Sequence, residues 1–214
     1  MFLRDVYGWM CGGLALTAIT AWIVAGSQWM VDAMAANGLM FWGLVIAQLA
    51  IVVVLSARVE RLAASTAGLL FVAYATLTGI TLSVLLLVFT GESIAATFLI
   101  TAGAFGGLAL YGTVTPRSLA GAGQFHFMGL IGIVLASLVG LFWHSDALQF
   151  LISVAGIMVF TGLAAYDAQR LKALAQDTPA DRVGSYAVVG ALALYLDFVN
   201  LFLSLLRFFG RRRR

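Results

Sequence analysis

Apolar residues run along this chain in seven long stretches, divided by short polar breaks. A helix that crosses a bilayer needs about 20 mostly apolar residues. The stretches that qualify are roughly Val6–Ser27, Gly38–Ala57, Thr66–Thr90, Ser93–Thr115, Phe125–Trp143, Ala147–Arg170 and Gly184–Phe209. The breaks carry turn-forming residues: Asn37-Gly38, Gly91-Glu92, Pro116 with the Gly121–Gly123 stretch, Ser145-Asp146 and Pro179. The predicted fold is an all-α membrane protein of seven transmembrane helices, with residues 1–214 as a single polytopic domain. No internal repeat is visible, so an inverted-repeat transporter is not indicated. The start, MFLRDVYGWMCGG, has no compact charged–apolar–cleavage pattern and reads as a retained first helix.

Charge in the breaks gives an orientation. The first, third and fifth connections carry Asp32, Glu92 and Asp146, with no Lys or Arg. The second carries Arg58 and Arg61, the fourth Arg117, and the sixth Arg170, Lys172 and Arg182. Positive loops stay inside, so the amino terminus and the even connections are expected in the cytoplasm. The tail opposes this pattern, because a seventh crossing places Arg207 and Arg211–Arg214 outside. The last segment either spans or re-enters and returns. Spanning is expected, since it is long enough and six earlier helices already set the orientation.

Composition agrees with a membrane. A chain that is 63% hydrophobic and 10% charged has too little polar surface for a water-soluble globule. The single cysteine, Cys11, excludes an internal disulfide and a cysteine-based zinc or iron–sulfur centre. The net charge of +3 comes largely from the terminal arginines. Arginines flanking an apolar segment anchor it at the headgroups, and no basic patch elsewhere suggests nucleic acid. Gly8 and Gly12 are four apart, as are Gly103 and Gly107, a spacing that lets membrane helices approach closely.

Against this background two carboxylates stand out, Asp167 in GLAAYDAQRLK and Asp197 in GALALYLDFVNLFLSLLRFF. An acidic side chain at bilayer depth costs about 2.5–3.5 kcal/mol to insert, so its default reading is functional. At 3.6 residues per turn, Asp197, Asn200, Ser204 and Arg207 share one helix face, and Tyr186 and Gly190 extend it towards the helix start. Lipid cannot satisfy such a stripe, so it should face protein or a water-filled path. Ser153, Gly156 and Asp167 share a face of the sixth segment, where Asp167 could also pair with Arg170. If the two aspartates meet, they cannot both ionise cheaply and they titrate as one unit around a shared proton. They also offer hard oxygen ligands suited to Ca²⁺. Tyr74, Thr78 and Thr81 share a face of the third segment, as pore lining or, in the favoured reading, as core hydrogen bonds.

Enzyme readings fail on the residues present. A retinal site needs a lysine within the seventh helix, and the only lysine is Lys172 in a connection. The only histidines, His126 and His144, lie near opposite ends of one segment, about 27 Å apart along a helix, too far to share a metal. No histidine lies at the depth of either aspartate, so no Ser–His–acid set forms. No cofactor is expected.

The strings VYGWMCGGLALTA, ATLTGITLS, TAGAFGGLALYGTVT, FHFMGLIGIVLASLVG, FTGLAAYDAQRLK and GALALYLDFVNLFLSLLRFFG resemble, in order and over nearly the whole chain, the Bax inhibitor-1 (transmembrane Bax-inhibitor-motif) family. The short termini and arginine tail are similar to its bacterial branch. The resemblance implies a seven-helix bundle with the last helix central, in a bacterial inner membrane, and a pH-sensitive Ca²⁺ leak. The family's aspartate pair falls on Asp167 and Asp197. Its arginine latch, at the cytoplasmic end of the second helix, falls on Arg61 when counted back without gaps from TGIT, with Arg58 one turn away. The pore-lining candidates are then Asn200, Ser204, Arg207, Tyr186 and Thr78, and the aspartates touch Ca²⁺ transiently. Two signs of gating follow. Either protonation loosens the hold on the arginine and opens the mouth, or the ionised pair draws Ca²⁺ in and protonation stops it. The family also includes members that restrain a membrane-bound ATP-dependent protease, a regulatory role that stands as the alternative.

Overall fold

The computed structural model describes residues 2–36, 38–143 and 145–213. They form eight helices: α1 (Phe2–Ala25), α2 (Gln28–Ala36), α3 (Gly38–Ala57), α4 (Ala64–Val88), α5 (Gly91–Val114), α6 (Ala120–Phe142), α7 (Asp146–Asp177) and α8 (Val183–Phe209). All but α2 are long and apolar enough to cross a membrane. The helix ends follow the chemistry of the chain. Asp5, Glu92 and Asp146 sit in first turns, where a negative charge meets the positive end of the helix dipole. α5 stops two residues before Pro116, and α7 stops two before Pro179, because proline restricts the residue ahead of it and cannot donate.

Several boundaries differ from the sequence expectation: α1 begins at Phe2 and not Val6, and α6 begins at Ala120 and not Phe125, so the Gly121–Gly123 stretch lies inside a helix and not in a break. α2 occupies the first connection, where a nine-residue helix is too short to read as a span. α7 continues to Asp177, beyond the expected end at Arg170. The extra residues LKALAQD are polar enough to resemble a loop, yet leucine, alanine, lysine and glutamine are good helix formers and simply continue the helix.

Backbone contacts gather the chain into two compact units. The first comprises Met1–Thr90, Asp177–Tyr195 and Arg212–Arg214. Within it α1 lies against α4. A Cβ at Gly79 would meet the Thr17 carbonyl oxygen at 2.7 Å, so only glycine permits that approach. Trp9 meets Phe71 edge-on at 6.0 Å. The start of α8 lies at the start of α4: the Arg182 guanidinium donates to the Glu60 carbonyl at 3.0 Å, and Gly184 packs on Ala64. The tail after α8 lies at the other end of α4, where the Arg213 amide donates to the Val88 carbonyl at 2.9 Å and Arg212 pairs with Phe89. α8 therefore runs the full length of a spanning helix and does not turn back.

The second unit comprises Gly91–Gln176 and Leu196–Arg211. Gly112 of α5 sits directly on the Ala165 backbone of α7, and Gly129 of α6 on Val159. Phe198 of α8 meets Phe98 and Phe105 of α5 at 5.4 and 5.5 Å. The glycine pairs singled out by spacing make no such contacts. A Cβ at Gly8, Gly12, Gly103 or Gly107 would meet nothing within 4 Å. Spacing places two residues on one face of a helix, but does not say whether that face meets protein or lipid.

α8 is the most enclosed of the seven long helices, with 67% of its apolar window buried against 33% or less for the others. Its first half belongs to the first unit and its second half to the second.

Candidate functional site

The second unit brings the two aspartates together. Asp167 rises from α7 among small residues: Ala164, Ala165 and Ala168 are all buried, which leaves room for a neighbouring helix. Asp197 is 6% exposed, followed on α8 by Phe198 in its ring cluster. The two carboxyl groups meet side chain to side chain. Among the described residues, one oxygen, Asp197 Oδ2, is buried with no hydrogen-bond partner. An unpartnered buried acceptor is destabilising by about 1–3 kcal/mol, so its presence calls for an explanation. Arg170, three residues beyond Asp167, attracts that carboxylate, and among the described residues the two close no ion pair.

Around the cytoplasm-facing end expected for α7, two side chains tie the helix to its neighbours. Gln169 donates through Nε2 to the Arg117 carbonyl and accepts at Oε1 from the Leu119 amide, both at 2.8 Å. Lys172 Nζ donates to the Thr113 carbonyl at 2.7 Å. The connection from α5 to α6 is thereby held to the helix that carries Asp167.

The polar stripe of α8 also finds its setting here. Asn200, Ser204 and Arg207 line a cavity of about 380 Å³ with residues of α6 and α7, among them Ser137, Ile133 and Phe160. Ser204 Oγ donates to the Asn200 carbonyl at 2.8 Å, and its side chain rests on Gly156 of α7. Ser153, on the same face of α7, is buried and donates to the Gln149 carbonyl at 2.8 Å.

The remaining candidates lie in the first unit. Arg58 and Arg61 are both exposed, on the turn between α3 and α4. Tyr186 is half-buried in the first turn of α8. Thr78 is buried, and its hydroxyl serves the core: it donates to the Tyr74 carbonyl at 2.9 Å and faces Gln48 Oε1 at 3.2 Å. Gln48 reaches on to Thr81 at 3.5 Å. Beside these, Thr17 of α1 donates to the Ala75 carbonyl at 2.9 Å and lies 2.6 Å from the Tyr195 hydroxyl. The Tyr195 ring packs edge-on against Phe71 and Tyr74, each at 5.7 Å. Thr17, Gln48, Gln169 and Tyr195 were not singled out in the sequence. The available signal was a lone amide in the apolar run of α3, and the tyrosine two residues before Asp197.

His126 is half-buried and turned back on its own helix, with Nδ1 2.6 Å from the Ala122 carbonyl. His144 lies outside the described residues. Among the described residues no three His, Cys, Asp or Glu side chains gather as a metal site.

The sequence model of the family described as "Inhibitor of apoptosis-promoting Bax1" matches residues 1–214. The chain belongs to the Bax inhibitor-1 family. It is 49% identical to the inner membrane protein YbhL of Escherichia coli, over 99% of this chain and 92% of that protein. A Borreliella burgdorferi protein is 42% identical over 99% of this chain and 92% of its own length. A membrane protein of Streptococcus pyogenes is 34% identical, covering 98% and 92% respectively. Membership in the Bax inhibitor-1 family, with seven helices able to span, makes this a multi-pass membrane protein.

Proposed function

We propose that this chain is a proton-regulated Ca²⁺ leak of a bacterial inner membrane, with its amino terminus in the cytoplasm. The observation that carries the reading is the meeting of Asp167 and Asp197, with one oxygen left unpartnered in a buried setting. Two carboxyls so placed have two ways to relieve their repulsion. They share a proton, or they take a cation between them. Proton and Ca²⁺ therefore compete for one place, which is the physical content of pH-regulated leak. Two carboxylates form a weak, transient Ca²⁺ site, as a pathway requires, and Asn200 and Ser204 offer further oxygens along the same face of α8. The latch role falls to Arg61 or Arg58. The inner-membrane assignment follows the name of the Escherichia coli relative, and the orientation follows loop charge.

The test is Ca²⁺ entry into dye-loaded liposomes that contain the purified protein and no other. A leak that changes with pH supports the reading. A protein that passes no Ca²⁺ at any pH contradicts it, and points instead to the regulator of a membrane-bound ATP-dependent protease.

A further inference from the structure

Arg207 is a charged side chain in an apolar helix, two residues before the end of α8. Among the described residues it has no carboxylate partner and no hydrogen bond. Arg4, on α1, differs: its guanidinium lies 3.6 Å from Asp5. Arg207 lines the 380 Å³ cavity, whose other polar groups are Ser137, Asn200 and Ser204 and whose walls include Ile133 and Leu138. Among the described residues no acidic side chain lines it. The cavity thus has a single cation, three neutral hydrogen-bonding groups and apolar walls.

Depth adds a second constraint. α8 has 27 residues, about 40 Å of helix at 1.5 Å per residue, while the hydrocarbon core is about 30 Å thick. The last turn of α8 therefore lies at headgroup level, and Arg207 is in it. The α6 side of this cavity is open: only 6% of the α6 window is buried, and its cavity-lining residues Val134 and Leu138 are exposed. A molecule entering from the bilayer meets apolar surface first and a guanidinium at headgroup depth.

We infer that the cavity between α6, α7 and the end of α8 binds an anionic phospholipid, with its phosphate on Arg207 and an acyl chain along α6. A guanidinium presents a planar fork of donors that matches phosphate oxygens. Ser137 and Asn200 supply neutral donors for the remaining headgroup oxygens. A free phosphate satisfies the arginine equally well but leaves the apolar walls unfilled, so the walls select the lipid.

The test is native mass spectrometry of the full chain released from detergent with added phosphatidylglycerol, phosphatidylcholine or glycerol 3-phosphate. Wild-type protein should retain phosphatidylglycerol over phosphatidylcholine. Arg207→Gln should lower phosphatidylglycerol retention about tenfold, the loss expected for a hydrogen bond to a charged group. Arg207→Lys should keep most of the preference, and Arg117→Gln, on an exposed connection, should keep all of it. Ser137→Phe fills the cavity from the exposed side of α6 without touching the charge, and it should lower retention as well. Equal retention of the two lipids by wild type would overturn the inference, as would an undiminished preference in Arg207→Gln. Glycerol 3-phosphate held as tightly as phosphatidylglycerol would overturn the choice of a lipid.

Discussion

The two halves of α8 carry polar groups under opposite conditions. In the first half, the Tyr195 hydroxyl lies 2.6 Å from Thr17 Oγ1, and its ring is fixed against Phe71 and Tyr74. Two residues later Asp197 is also buried, but among the described residues its Oδ2 has no hydrogen-bond partner. Hydroxyls deep in a membrane protein are neutral and can be satisfied once and for all. A carboxyl pair cannot be, because its best arrangement depends on whether a proton or a cation is present. The first half therefore has the chemistry of a fixed joint, and the second half that of a responsive element. Stability and pH response should separate along the same helix.

The largest stability loss should come from the fixed half. Tyr195→Ala removes a fully buried ring and its hydroxyl, and loss of such a ring costs about 3–5 kcal/mol. Heat-induced aggregation of the detergent-solubilised protein, followed by size exclusion, would show it. A Tyr195→Ala protein as stable as wild type would break the comparison.

Thr17→Val keeps the shape and removes only the hydroxyl shared by Ala75 and Tyr195. Interhelical hydrogen bonds in membranes contribute about 0.6–1.7 kcal/mol, so a loss of about 1 kcal/mol is expected in the same assay. The pH response of Ca²⁺ leak should persist in this variant. Its disappearance would mean that the joint is part of the switch.

Gln48→Leu should have a still smaller effect, well under about 1 kcal/mol, because Thr78 and Thr81 retain bonds to carbonyls of their own helix. Thermal shift in micelles is sensitive enough to rank it below Thr17→Val.

The proposed latch is read in function alone. Arg58 and Arg61 are exposed, so replacing either by Ala should leave stability within about 0.5 kcal/mol. Replacement of the true latch should raise basal Ca²⁺ leak and flatten its pH response. Wild-type leak in both single variants and in the double would remove the latch.

The spans were legible because about 20 apolar residues in a row have few other uses, and the aspartates because a charge at that depth is costly. The stripe Asn200–Ser204–Arg207 was legible because helical spacing is regular, and all three side chains do line one cavity. What spacing cannot supply is the identity of the facing helix. Gly8, Gly12, Gly103 and Gly107 have the approach spacing but open surroundings, while Gly79 and Gly112 make the close approaches without a conspicuous pattern. Thr17 and Gln48 were invisible for the same reason: one hydroxyl or amide in an apolar run gains meaning only from the neighbour it meets. The polar end of α7 was misplaced because helix propensity and membrane depth are separate properties.

The central claim is that Asp167 and Asp197 act as one titrating unit, and Asp197→Asn tests it most directly. The substitution keeps size and hydrogen bonding and removes the charge, so the protein should fold with stability close to wild type. Ca²⁺ flux into dye-loaded liposomes, measured across a pH series, should then show a leak that no longer follows pH. Asp167→Asn should weaken the response in the same way, and the double substitution should add little, since coupled residues are not additive. An Asp197→Asn protein with an undiminished pH response would remove the pair from the mechanism.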